Sequence, residues 1–175
     1  MPSIVRPTER LLIYAYRSAA SLKNADDFLK TARERLYPAI PDPPVKMPVP
    51  LEKYVGKYHD AGYGTVEVKL DCSERKYPKD SPASATTDQK GCRLIAQSAV
   101  MPGMEGQAYR MDLEHISGDF WLGWAYTVIL DSRRPDACQR VQFRVGADGT
   151  VASVGADVRI EGESVPLTWF TRVEG

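Results

Sequence analysis

A serine with a lysine three residues on is the most suggestive chemical spacing in this chain: Ser73-Glu-Arg-Lys76. On a helix such a lysine lies one turn from the serine hydroxyl and can take up its proton, which prepares the oxygen for acyl transfer. The surroundings speak against that use. Ser73 opens a polar stretch that runs to Gly91, Pro78 and Pro82 follow closely, and no apolar helix face is available to bury Lys76 and lower its pKa. Neither Tyr-x-Asn nor Lys-Thr-Gly occurs to supply partners, so Ser73 and Lys76 read as residues of a surface loop. His59 beside Asp60 would make an oriented base, but neighbours on a strand point to opposite faces, and the pair reads as polar residues flanking a turn. His115 follows Glu114 on the apolar register of its strand. There a buried, hydrogen-bonded histidine is expected in preference to a catalytic one.

Metal and cofactor chemistry find no better footing. Cys72, Cys92 and Cys138 form no CxxC pair and no zinc-ligand spacing, and His59 and His115 lie far apart. Cys72 and Cys92 flank the polar stretch and have two readings, a disulfide clip worth roughly 3 kcal/mol in an oxidising compartment, or free buried thiols. Gly62-Tyr63-Gly64 leads into a strand, with no helix amino end to bind phosphate, and reads as a turn. Met101 to Gly106 is glycine-rich but lacks lysine or serine at phosphate-loop spacing, and reads as a connection. No residue is thereby assigned to catalysis, cofactor binding or metal binding, and no cofactor is expected.

Charge and composition narrow the class further. The 23 basic and 23 acidic side chains cancel, so no broad field draws the chain to nucleic acid or anionic lipid. Apolar residues make up 43% and charged residues 26%, the balance of a soluble globular protein. A chain of 175 residues buries enough surface to fold without metals or disulfides. The longest central run without a charge, Phe120 to Leu130, is about half of the ~20 residues a membrane helix needs. Near the start, Leu11 to Tyr16 is too short an apolar run for a secretory signal, so a soluble, by default cytoplasmic, protein is expected.

Residues 1–37 carry helical periodicity: Leu11, Leu12, Ala15, Ala19 and Leu22, then Phe28, Leu29, Ala32 and Leu36 after a break near Asn24. Residues 38–50 hold Pro38, Pro41, Pro43, Pro44, Pro48 and Pro50, which forbid helix and favour an extended spacer. From residue 51 onward the period becomes two. KYVGKYH, TVEVKL, RLIAQSAV, AYRMDLEHI, DFWLGWAYTVIL, QRVQFRV, TVASVGADVRI and PLTWFTRV read as eight strands, with hairpin turns at Ser117-Gly118 and at Ala147-Asp148-Gly149. Short links without intervening helices predict a mainly β fold, an eight-stranded antiparallel up-and-down barrel over residues 51–175, with an open sandwich as the competing architecture. Tyr109, Met111, Leu113 and His115 share one strand face; Phe120, Leu122, Trp124, Tyr126, Val128 and Leu130 share another. Trp121, Trp124, Tyr126 and Trp169 are expected in core or interface packing ahead of a ligand pocket.

The ordered strings LEKYVGKYHDAGYGTVEVKL, LEHISGDF, QFRVGADGTVASVGADV and WFTRV resemble the carboxy-terminal, lipocalin-like domain of serine β-lactamase-like hydrolases, most closely the fungal members. The residues that carry the resemblance are Leu51, Tyr54, Gly56 and Tyr58, then Phe143, Arg144, Gly146, Asp148, Gly149 and Val151. It covers about residues 51–173, and the Ser73 to Gly91 insertion departs from it. The resemblance implies a non-catalytic accessory barrel, because in that family the reactive residues belong to a separate catalytic domain. It implies a partner in that catalytic domain, while the apolar stripe of the amino-terminal helices needs cover from the barrel or, by self-association, from another chain; charge and run length predict no nucleic acid and no membrane span. The alternative is a small apolar-ligand carrier whose barrel interior is lined by residues such as Tyr109, Leu113 and Trp124.

Overall fold

The computed structural model describes residues 27, 29–73, 91–98, 109–127, 135, 137–157 and 166–174. Helix α1 covers residues 29–36, and a single turn, α2, covers Leu51–Tyr54. Eight strands follow: β1 Gly56–Asp60, β2 Gly64–Asp71, β3 Arg93–Ser98, β4 Tyr109–Ser117, β5 Phe120–Thr127, β6 Ala137–Val145, β7 Val151–Ala156 and β8 Thr168–Val173. Each pairs antiparallel with the next, and β8 returns to β1 through Tyr58↔Arg172, so the expected barrel closes and no edge is left open. The competing open sandwich is thereby excluded.

The expected hairpin turns form where glycine permits a backbone that other residues resist: Gly118 sits at φ 56° and Gly149 at φ 77°. The first strand is shorter than its sequence pattern. Lys53 and Tyr54 belong to the α2 turn instead, where Pro50 supplies a fixed φ of −60° before the helix and Leu51 and Tyr54, three apart, both turn inward. The expected helix over residues 11–22 lies outside the described residues, as do Phe28, Val128 and Leu130.

Two buried clusters share the barrel wall. Inside lie Tyr58, Val68, Leu94, Met111, Leu113, Trp121, Phe143, Val154 and Phe170, with Leu51 and Tyr54 of α2. Outside, on the wall of β4, β5 and β6, lie Ile116, Leu122, Trp124, Tyr126 and Cys138, covered by Leu29, Ala32 and Leu36 of α1 and by Tyr37 and Ile40. The apolar stripe of α1 therefore folds back on its own barrel. Trp124, expected to line the interior of a carrier, is on the outer wall, while its neighbour Trp121 points in; alternation along β5 sends adjacent side chains to opposite faces.

Candidate functional site at the strapped end of the barrel

One rim of the barrel gathers the start of β1, the β4–β5 and β6–β7 turns and the end of β8. The proline tract crosses this rim as a strap: the Val45 amide donates to Ser117 Oγ (3.0 Å), and the Gly118 amide donates to the Val45 carbonyl (2.8 Å). Proline cannot extend a helix, and its fixed φ suits a chain that must stay extended over a curved rim. Residues 44–50 and His115 border an open cavity of about 570 Å³. Beneath the strap α2 plugs the barrel. The Tyr54 ring packs edge-on against Trp121 (5.2 Å between centroids) and Phe143 (4.8 Å), and the Tyr58 hydroxyl donates to the Tyr54 carbonyl (2.7 Å). These aromatics fill this half of the interior.

The plug and the last strand are tied by Arg172. Its Nη1 donates to the Lys53 carbonyl (3.1 Å), the Tyr58 hydroxyl (3.2 Å) and the Val151 carbonyl (3.3 Å), and its Nη2 donates to the Val55 carbonyl. Gly56 makes this possible, because a Cβ there would stand 2.9 Å from Nη2 and 3.1 Å from Cζ. Leu51, Tyr54, Gly56 and Tyr58, the leading residues of the sequence pattern, thus build one object: two inward plugs, a gap for a guanidinium and a hydroxyl that receives it. Nothing in the sequence reading singled out Arg172. Its signal was there in the register, since Thr168, Phe170 and Arg172 fall on one face and a cation shares the register of a core phenylalanine.

His115 stands at the same end. Its ring meets Trp121 edge-on (5.0 Å) and its Nε2–H donates to the Gly118 carbonyl (2.9 Å). Burial pushes its pKa down, opposed by the Gly118 carbonyl and by Asp119. Burial pushes the Asp119 carboxyl up, opposed by His115, and raises the Tyr54 hydroxyl to about 12 with Asp119 adding to the rise. Trp121 Nε1 and Asp119 Oδ1 are buried without a hydrogen-bond partner.

On the outer wall the α1 junction has its own polar core. Glu114 accepts from Trp124 Nε1 (2.9 Å) and pairs with Arg33 (3.3 Å). Burial raises the Glu114 carboxyl, and the Trp124 hydrogen bond and Arg33 oppose it. Beside it Cys138 is a buried free thiol whose pKa burial pushes far up, so it is no ready nucleophile. Further round, Arg110 pairs with Asp112 (2.9 Å) and with Asp71 (3.0 Å), and Arg93 reaches Asp71 at 3.5 Å.

The other residues considered for chemistry fall apart in space. Ser73 is exposed in irregular backbone, and both its amide (3.1 Å) and its hydroxyl (2.6 Å) donate to Asp71 Oδ1. Lys76 lies outside the described residues, as does the Met101 to Gly106 connection. Of the two readings of Cys72 and Cys92, the disulfide is the one formed. His59 Nδ1 is 3.1 Å from Thr65 Oγ1 on the outer face, while Asp60 Oδ1 accepts from the amides of Gly62 and Tyr63 and shapes the turn. Among the described residues no group of three His, Cys, Asp or Glu side chains could hold a metal ion, and no helix is long and apolar enough to cross a membrane.

The fold and this end of it define a closed eight-stranded antiparallel barrel plugged by one helical turn and strapped by a proline tract. No family model matches the sequence. The chain is homologous to the unguisins hydrolase ungD of Aspergillus violaceofuscus, with 28% identity over 150 residues. The match takes in 85% of this chain and spans 22% of that hydrolase. Among solved structures it is similar to the C-terminal domain of penicillin binding protein Rv0907, at 20% identity and a TM-score of 0.41, covering 76% of this chain and 93% of that one.

Proposed function

We propose that this chain is a non-catalytic accessory β-barrel of a β-lactamase-like serine hydrolase, working beside a catalytic domain supplied outside residues 1–175, in the same polypeptide or another. In this reading residues 51–175 are the barrel domain, 38–50 the link and 1–37 the helical connector toward the catalytic partner. The observation that carries it is one of proportion: 85% of the chain matches only 22% of a hydrolase, so most of that enzyme has no counterpart here. The surroundings of Ser73 agree. Ser73 is exposed and hydrogen-bonded to a carboxylate, with no buried base beside it among the described residues, whereas an activated serine needs a neighbouring proton acceptor. The Cys72–Cys92 disulfide favours an oxidising compartment over the cytoplasmic default.

The test is an exchange of parts. The matched region of the unguisins hydrolase is deleted, or replaced by the full 175 residues of this chain, and hydrolysis of its own substrate is measured. The replacement is expected to recover activity that the deletion loses. A soluble replacement no better than the deletion would count against the accessory role.

A further inference from the structure

We infer, on the accessory role proposed above, that Phe120 and the proline strap form the face on which a catalytic domain tethered to this barrel seats. Along β5 the outward register is Phe120, Leu122, Trp124 and Tyr126, and the last three are buried beneath α1 and its neighbours while Phe120 stays 44% exposed. Helix α1 ends at residue 36, and Tyr37 just beyond it touches this ring edge-on at 6.1 Å. The apolar seam between helix and barrel therefore runs out into the open at the β4–β5 turn.

The strap widens the patch. Phe120 lies opposite Ser117, whose hydroxyl accepts from the Val45 amide. Val45 spends both backbone groups on this turn, and its side chain, 3.8 Å from where a Gly118 Cβ would stand, is 57% exposed. Pro41, Pro43 and Pro44 are exposed beside it. Among the described residues the large apolar side chains left exposed are Val45, Phe120 and Val173, and two of the three stand at this turn. An aromatic anchor amid rigid prolines loses little freedom when covered, which favours an interface. Size selects the occupant. Two side chains and three prolines fall well short of the roughly 800 Å² a side that a free complex buries, so a diffusing partner would not stay bound. A tether lifts the effective concentration to about millimolar, where a small contact holds. The hydrolase relative shares that tether: a match of 150 residues within 175 begins no later than residue 26, ahead of α1 and the strap. Asp42 and Lys46 flank the exposed Pro43, Pro44 and Val45 with opposite charges, so the complementary seat is a shallow apolar one.

The experiment compares hydrogen exchange, read by mass spectrometry, in the full chain alone and in the replacement enzyme, the unguisins hydrolase with its matched region exchanged for this chain. Amides of residues 45–47 and 117–120 are expected to exchange about fivefold or more slower in the enzyme, while those of residues 57–66 on the water-facing wall keep their rates. Val45→Ser with Phe120→Ser should restore the rates of the free chain. Because both side chains are already exposed, the doubly substituted chain should keep the wild-type circular dichroism and urea midpoint. If it does not fold, the difference between wild-type chain and enzyme still decides. Equal rates at the turn, protection confined to another face, or a turn already as protected in the free chain would overturn the inference. An active enzyme without protection here sinks this contact alone and leaves the accessory role standing, whereas protection in an inactive enzyme does the reverse.

Discussion

The wall of β1, β2 and β8 meets water on its outer face, whereas the wall of β4 and β5 is buried on both. On the first, Lys57, His59, Thr65, Lys69 and Thr171 are exposed while Tyr58, Val68 and Phe170 point into the core. On the second, every described residue of β5 from Trp121 to Tyr126 is buried, half against the interior and half under α1. The difference teaches that one rule of strand patterning holds for the first wall and loses its phase on the second. When a helix covers the outer face, both registers turn apolar, and the sequence no longer says which one looks inward.

That contrast can be broken at four places. Trp121→Ala removes the largest fully buried side chain of the inner cluster. It is expected to cost about 3–5 kcal/mol in urea unfolding, since the three rings around it cannot collapse into the gap. Trp124→Phe probes the outer face of the same strand. The ring volume is largely kept, but Glu114 loses a buried donor, for an expected loss of about 1–3 kcal/mol. A loss from Trp124→Phe as large as that from Trp121→Ala would mean that the outer cluster is a second core of equal weight.

Glu114→Gln sharpens the electrostatic side. Burial holds the folded-state pKa of Glu114 above its unfolded value, so this group favours folding at low pH and that contribution is lost as pH rises through the folded value. The stability of Glu114→Gln relative to wild type is therefore expected to rise between about pH 4 and pH 7. A relative fall over that window would mean that Arg33 and Trp124 outweigh burial. The smallest effect is expected on the single-faced wall, where Lys57→Ala should change unfolding free energy by no more than about 0.5 kcal/mol.

Much of the architecture was legible because eight segments alternate or run apolar between recognisable turns. The antiparallel order of neighbours follows from the lack of intervening helices, and closure comes from the pairing of β1 with β8 at the two ends of the barrel sequence. What alternation could not supply was the side on which Trp124 falls, for the reason above. The α2 turn was missed because Lys53 and Tyr54 also fit a strand, and only the burial of Leu51 and Tyr54 together chooses the helical spacing. The proline tract was read as a spacer, since nothing in its residues announces that Val45 would bond the β4–β5 turn; that contact depends on Ser117 and Gly118, more than seventy residues on. Of the strapped end, the pattern Leu51, Tyr54, Gly56, Tyr58 was visible as a string, but its purpose was not. The arginine that explains Gly56 lies at the far end of the chain, and a long-range pairing leaves no local signature.

The account rests on the claim that this barrel holds no reactive serine of its own. Intact-mass analysis of the full chain after prolonged incubation with a penicillin-type acylating probe tests it most directly. The mass is predicted to stay unchanged, and an added acyl group that Ser73→Ala removes would contradict the account.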